Sequence, residues 1–197
     1  MPTETIRSFI AIELPGEVKA EIKRLQDTLK AGNPLWLRWV SPESIHLTLK
    51  FLGDIAGDRI EEIIMAITDA ANGIGPFSLQ VEGLGVFPNP RRIQVVWVGL
   101  AGDLDKLSKL QMQIETNLAI LGFPEEGRAF TPHLTMARVR YPPPPLETQK
   151  FTQLLDTTRA GSDKIIAVNS VNLIQSQLTP QGAIYSRLGS VALKNIS

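Results

Sequence analysis

"SIHLTLKFLG", Ser44 to Gly53, carries one of only two histidines in the chain. Its Ile, Leu and Phe content reads as a strand that Gly53 closes. Side chains on a strand alternate faces. His46, Thr48 and Lys50 are therefore expected on one face, and Leu47, Leu49 and Phe51 on the other. The leucine face reads as an anchor to a core. The opposite face presents an imidazole beside a hydroxyl. The second histidine lies in "TPHLTMARV", Thr131 to Val139. The same alternation groups His133 with Thr135, opposed by Leu134 and Met136. A lone His-x-Thr on an amphipathic strand is ordinarily a half-buried polar pair. Here both histidines are followed by Leu-Thr, and two such strands side by side would make a cleft with two imidazoles and two hydroxyls.

Outward from these strands the chain alternates helical and extended patterns. "RSFIAIEL" has the content of a buried strand. Pro15 opens a helix in which Val18, Ile22, Leu25 and Leu29 recur at three- and four-residue steps, ended by Gly32, Asn33 and Pro34. "LRWV" reads as a short strand, and "SPES" as a turn with Ser41 placed to cap and Pro42 at the first helical position. "DRIEEIIMAITDAANG" predicts a helix with Asp58 as N-cap, Glu61 as its capping-box partner and Gly73 at the C-cap. "FSLQVEGLGVF" and "RIQVVWVGL" predict strands joined by the turn "PNPRR". Leu104, Leu107, Leu110, Ile114, Leu118 and Leu121 line a second long helix. "AFTPHLTMARVR" reads as a strand and "YPPPP" as a stiff connection. A short helix is expected near Leu146 to Leu155. "IIAVNSVNLIQSQL", the turn "TPQG" and "AIYSRLGSVAL" read as a closing hairpin. Long helices alternating with groups of strands predict α+β layers.

The 197 residues, 43% of them hydrophobic, suit one globular domain or two small lobes sharing a core. Twenty basic residues balance twenty acidic ones, so charge alone does not suit the chain to coating long nucleic acid; a local basic groove is compatible with it. The absence of cysteine excludes a disulfide framework, thiolate zinc sites and a cysteine nucleophile, and fits a reducing compartment. No apolar run approaches the roughly 18 residues of a membrane span. "MPTETIRSFIAIELP" lacks a basic start and a long apolar stretch, so it reads as a first strand and not as a signal peptide. A soluble, cytoplasmic, monomeric protein that does not engage a membrane is expected.

Two imidazoles suit acid–base work on a phosphodiester. Near neutral pH one accepts a proton from the attacking water while the other donates one to the leaving oxygen. The threonine hydroxyls can hold the non-bridging oxygens. A strained cyclic phosphate needs no metal for this. Two histidines without cysteine also lack the third and fourth ligands of a zinc site. No Gly-x-Ser-x-Gly elbow appears. Neither a metal nor a cofactor is expected. The two motifs are chemically interchangeable on paper, so the residues alone do not say which histidine is acid and which is base.

At these residues the sequence resembles the two-histidine (2H) phosphoesterase superfamily, whose signature is a pair of His-x-Thr/Ser-x motifs, here "HLTL" and "HLTM". The closer resemblance is to the LigT-like RNA 2′,3′-cyclic phosphodiesterases, formerly called 2′-5′ RNA ligases. It is carried by "RSFIAIELP", "WVSPESIHLTLKFLGDI", "GLGVFPNPRRIQVVWVGL", "GRAFTPHLTMARV" and "SQLTPQGAIYSRL", spread over nearly the whole chain. The resemblance implies an α+β fold, bilobal, with residues 1–197 as a single domain: two antiparallel-sheet lobes with outer helices around a central cleft. Each lobe gives one His-x-Thr strand to that cleft. It implies hydrolysis of RNA 2′,3′-cyclic phosphate ends to 2′-phosphomonoesters, with 2′-5′ ligation as the reverse reaction. His46 is implied as proton donor to the leaving 3′ oxygen and His133 as the base that activates water. Thr48 and Thr135 are implied to hold phosphate oxygens.

Arg138, five residues after His133, matches an arginine of the family's second motif that helps hold the phosphate. Strict alternation puts it on the Leu134/Met136 face. Either the strand bulges or ends first, or Arg138 is structural. Met136 stands where leucine is more usual, on the core face, and no functional effect is expected. Phe9, Lys50, Arg91 and Arg128 are candidates for an RNA groove, and Phe51 with Phe9 for stacking a base. Each has an ordinary alternative as a core phenylalanine, a solvated lysine or a turn arginine. RNA ends or small cyclic nucleotides are the expected substrates. A 2H enzyme of 2′-5′ oligonucleotides, or a module that binds RNA ends without turnover, stays open. The paired histidines favour turnover, because binding alone is served as well by lysine or arginine.

Overall fold

The computed structural model describes residues 5–180 and 182–194. Met1 to Glu4 of the expected first segment and Gln181 of the expected "TPQG" turn lie outside the described residues. In chain order the elements are β1 (Thr5–Glu13), α1 (Gly16–Lys30), β2 (Leu37–Trp39), β3 (His46–Ala56), α2 (Ile60–Ala71), β4 (Phe77–Asn89), β5 (Arg92–Gly102), α3 (Leu104–Ile120), β6 (His133–Val139), α4 (Pro145–Thr157), β7 (Gly161–Val168), β8 (Ser170–Thr179) and β9 (Gly182–Ala192). No helix among the described residues is long and apolar enough to cross a membrane.

The strands form two antiparallel sheets. The first has the order β3-β1-β8-β9 and the second β2-β6-β5-β4-β7. Helices α2 and α3 back the first sheet, and α1 and α4 the second. Both sheets turn one face onto a single core. That core holds Ile10, Ile12 and Leu47 from the first sheet together with Val96, Val98, Leu134 and Met136 from the second. Val18, Ile22, Leu25 and Leu29 of α1 are fully buried in it, each contributing roughly 1.5–3 kcal/mol. Strands β3 and β6 touch where the sheets meet. The faces turned away from the core therefore form one continuous surface across this seam.

Several local expectations are corrected. Helix α2 is not capped by Asp58: a 3₁₀ turn, Gly57–Arg59, leads into it, and no side chain caps its first amides. Ser41 likewise makes no cap bond to the 3₁₀ turn Pro42–Ser44. Strand β3 does not close at Gly53 but runs on to Ala56, with Gly53 taking a φ of 72° inside the strand. That left-handed backbone costs glycine little. The stretch "IIAVNSVNLIQSQL" is two strands, not one. It breaks at Asn169 and sends β7 to the edge of the second sheet and β8 to the middle of the first.

Candidate active site

Strand β3 pairs with β1 through a register that skips one residue just after the histidine motif. Glu13 faces His46, Ile12 faces Leu47 and Ala11 faces Thr48, but the next partner of Ile10 is Lys50. Leu49 is the extra residue of a β-bulge, which shifts Lys50 and Phe51 to the opposite face before a second register shift at Leu52. Leu49 and Lys50 are consecutive buried residues as a result. The expectation that Lys50 shares the face of His46 is therefore wrong. Lys50 is 3% exposed and its ammonium pairs with Glu115 of α3 while donating to the Pro124 carbonyl at 2.7 Å. Phe51 is corrected in the opposite sense: it is 60% exposed on the face of His46, beside Phe9 with ring centroids 6.0 Å apart.

The same device recurs on β6. Leu134 faces Val98 and Thr135 faces Trp97, but Ala137 is the next partner, opposite Val96. Met136 is the extra residue, and Met136 and Ala137 are both fully buried. Arg138 then faces Val95, on the side of Thr135 and His133. The bulged alternative for Arg138 is the one that holds. Each bulge carbonyl also meets a buried glutamine from a helix. Gln26 of α1 donates to the Met136 carbonyl at 3.0 Å, and Gln111 of α3 donates to the Leu49 carbonyl at 3.4 Å. Each glutamine comes from the half of the chain that does not contain the strand it supports.

The two imidazoles are held alike. His46 Nδ1 lies 2.9 Å from the Ser44 carbonyl and His133 Nδ1 2.7 Å from the Thr131 carbonyl. A carbonyl only accepts, so each Nδ1 carries the hydrogen and each neutral ring keeps Nε2 free. Phe9 forms the floor under His46, stacked at 4.5 Å between centroids, and Tyr185 of β9 meets His46 edge-on at 5.1 Å. Phe9 is buried with Ala11 and Ile174 in a small cluster separate from the main core. Phe87 of β4 meets His133 edge-on at 4.9 Å, and Trp97 lies 6.5 Å from the same ring. Gly85 makes room for that indole: a Cβ there would sit 2.2 Å from the Trp97 ring.

Burial pushes His46 down to about 4, against smaller upward pulls from the Ser44 carbonyl and Glu13. Glu13 itself is held by an ion pair with Arg187 and by Asn172 at 2.9 Å. Burial also pushes the Tyr185 hydroxyl up, opposed by the charges of Arg138 and Arg7. Arg138 of the second sheet thus acts on the ring that touches His46 of the first. Thr48 and Thr135 are half-buried on this surface. Arg91 stands in the exposed turn between β4 and β5, and Arg128 in the exposed segment before β6. Among the described residues no contact ties either to the histidines.

Sequence reading missed Glu13, Asn172, Tyr185 and Arg187. They come from strands distant in the chain and carry no local motif. Phe87 and Trp97 sat in an expected hairpin, and only pairing with β6 brings them to His133.

The model of the family described as LigT like phosphoesterase matches this chain twice, over residues 12–97 and 98–185. Each segment holds one His-Leu-Thr. The chain is 36% identical over 181 residues to a protein of Methanothermobacter thermautotrophicus named RNA 2′,3′-cyclic phosphodiesterase, covering 92% of this chain and 95% of the relative. It is 31% identical over 190 residues to the protein of the same name from Aquifex aeolicus, covering 93% and 95%. Its fold is like that of the E. coli LigT crystal structure in apo form, with a TM-score of 0.77 at 24% identity over 98% of this chain and 100% of that one.

Proposed function

The chain belongs to the LigT-like phosphoesterase family, and on that premise we propose that it hydrolyses RNA 2′,3′-cyclic phosphate ends to 2′-phosphomonoesters by acid–base catalysis between His46 and His133. The relatives that carry this activity in their names match over nearly the whole chain. The observation that carries the mechanism is the paired geometry: two strands touching at the sheet seam, each with a histidine whose Nδ1 is engaged and whose Nε2 is free.

In the proposed reaction His133 Nε2 takes a proton from water as the water oxygen bonds to phosphorus. The bond between phosphorus and the 3′ oxygen breaks, and His46 Nε2–H gives its proton to that oxygen. The products are a 2′-phosphomonoester and a free 3′ hydroxyl. Thr48, Thr135 and Arg138 donate to the non-bridging oxygens, where negative charge accumulates. Phe51 offers an exposed ring to the terminal base. His46 at about 4 is neutral in the free protein near pH 7. An anionic phosphodiester beside a desolvated imidazole favours its charged form. The acid is therefore loaded with its proton as the substrate enters. The setting proposed is a monomer acting on RNA ends in the cytoplasm.

The test is hydrolysis of a nucleoside 2′,3′-cyclic phosphate with a chelator present. His46→Ala and His133→Ala should each lose about 10²–10⁴-fold in kcat, the usual worth of a general acid or base. Full activity in either variant would sink the mechanism.

A further inference from the structure

Beyond the reacting pair, β6 runs into a cluster of arginines. Arg138 shares the face of His133 and Thr135, Arg38 of β2 is its cross-strand partner, and Arg140 follows two residues later. The three line one concavity of about 420 Å³ with Val139. All three are exposed, and none joins a salt bridge among the described residues. Three guanidiniums on one concavity without a carboxylate repel one another, and an entering anion relieves that repulsion.

We propose that Arg38 and Arg140 extend the site into a track for the phosphodiester chain on the 5′ side of the reacting end, so that the enzyme prefers oligonucleotides to mononucleotides. This rests on the reading of the cleft as a site for RNA ends. An RNA strand closed by a 2′,3′-cyclic phosphate continues in one direction only, so only one side of the cleft has to be cationic. The two bulges supply that asymmetry. They bring Phe51 on β3 and Arg138 on β6 to corresponding places, each five residues after its histidine. The β3 side thus offers a ring; its nearby Arg187 is already neutralised by Glu13, which leaves it the single charge of Arg7 near Tyr185. The β6 side offers three cations that join no salt bridge among the described residues. Two residues of strand span about 6.6 Å, so Arg138 and Arg140 are spaced on the scale of one nucleotide step.

The double variant Arg38→Gln/Arg140→Gln tests the track, with Arg138 left intact because it belongs to the reacting site. Compare kcat/KM for a nucleoside 2′,3′-cyclic phosphate and for a four-residue oligoribonucleotide with the same end, over a salt series. The mononucleotide should stay within about twofold. At about 50 mM salt the oligonucleotide should lose roughly tenfold, and its log–log salt slope should flatten by about 1.4, two contacts at about 0.7 each. Arg38→Lys/Arg140→Lys should keep the slope, because the track reads charge. An unchanged oligonucleotide rate, or an equal fall for both substrates, overturns the proposal. If the unaltered protein turns over neither substrate, the activity reading fails separately. The track is then judged by fluorescence anisotropy of an oligonucleotide ending in a 2′-phosphate. A flattened slope in the double variant sustains it, and equal slopes overturn it.

Discussion

His46 is held neutral in the free protein by burial between Phe9 and Tyr185, which takes its ring down to about 4. The unfolded ring titrates near 6.5, so between about 4 and 6.5 the unfolded chain binds more protons than the folded one. Stability therefore rises with pH across that window. His46's contribution is fully present above 6.5 and is lost as pH falls through 4. The loss is at most about 3 kcal/mol, at 1.36 kcal/mol per unit. Urea unfolding of the unaltered protein at pH 7 and pH 4.5 should show this difference, and His46→Asn should remove most of it. The same ring predicts proton uptake with substrate. In His133→Asn, which removes the base, binding of a nucleoside 2′,3′-cyclic phosphate at pH 7 should take up close to one proton. Titration calorimetry in two buffers of different ionisation enthalpy reads this, and His46→Asn/His133→Asn should take up none. Phe51 makes a third case at this scale. Because it is 60% exposed, Phe51→Ala should leave the unfolding midpoint nearly unchanged. It should raise KM for a cyclic nucleotide about 5- to 150-fold, the equivalent of about 1–3 kcal/mol of base stacking. Ribose 2′,3′-cyclic phosphate, which has no base, should be turned over by Phe51→Ala as by the unaltered protein.

Strands β3 and β6 present their side chains through bulges, and each bulge depends on a partner from another element. Gln26 donates to the Val40 carbonyl at 2.7 Å as well as to the Met136 carbonyl, tying α1 to the β2–β6 edge. Gln26→Leu takes its donor from the Val40 carbonyl and leaves the Met136 carbonyl with the Val40 amide alone, at 2.9 Å, and should cost about 1–3 kcal/mol in urea unfolding. Because the bulge is what turns Arg138 toward Thr135, the same variant should raise KM for the cyclic phosphate. An unchanged KM would mean that the bulge holds without Gln26. On β3 the corresponding support includes an ion pair. Lys50 and Glu115 are both buried, and Glu115 also accepts from Gln111 at 3.0 Å and from the Glu126 amide at 3.3 Å. Lys50→Met leaves Glu115 without its cation and should cost about 3–5 kcal/mol. Lys50→Met/Glu115→Leu should recover most of that, since a buried pair is often no more stabilising than apolar residues of similar volume. Lys50 thus fastens α3 and the Pro124 segment behind the site; it is not part of an RNA groove.

Across the whole molecule, sequence halves and sheets do not coincide. β8 and β9 complete the sheet begun by β1 and β3, while β6 and β7 complete the sheet begun by β2, β4 and β5. Residues 1–97 alone would lack β8 beside β1 and β6 beside β5. That fragment should show no cooperative unfolding by circular dichroism, whereas the full chain should unfold in one transition, coincident by dichroism and tryptophan fluorescence. Much of this arrangement is legible from local pattern. Leucine periodicity locates α1 and α3, period-two alternation locates β3 and β6, and the repeated His-Leu-Thr singles out both histidines. These signals survive because they depend on residues within one or two turns or pleats of each other. The faces of Lys50, Phe51 and Arg138 do not follow from alternation. Each is set by one extra residue, and a bulge carries no mark in its own strand. Its freed carbonyl must find a donor, and the side-chain donors here lie 62 and 110 residues away, on Gln111 and Gln26, the second joined at the Met136 carbonyl by the Val40 amide. Local periodicity thus determined which residues form the strands and which two histidines to suspect. Tertiary hydrogen bonding to those two carbonyls accompanies the bulges that send the lysine into the core and bring the phenylalanine and the arginine out beside the histidines.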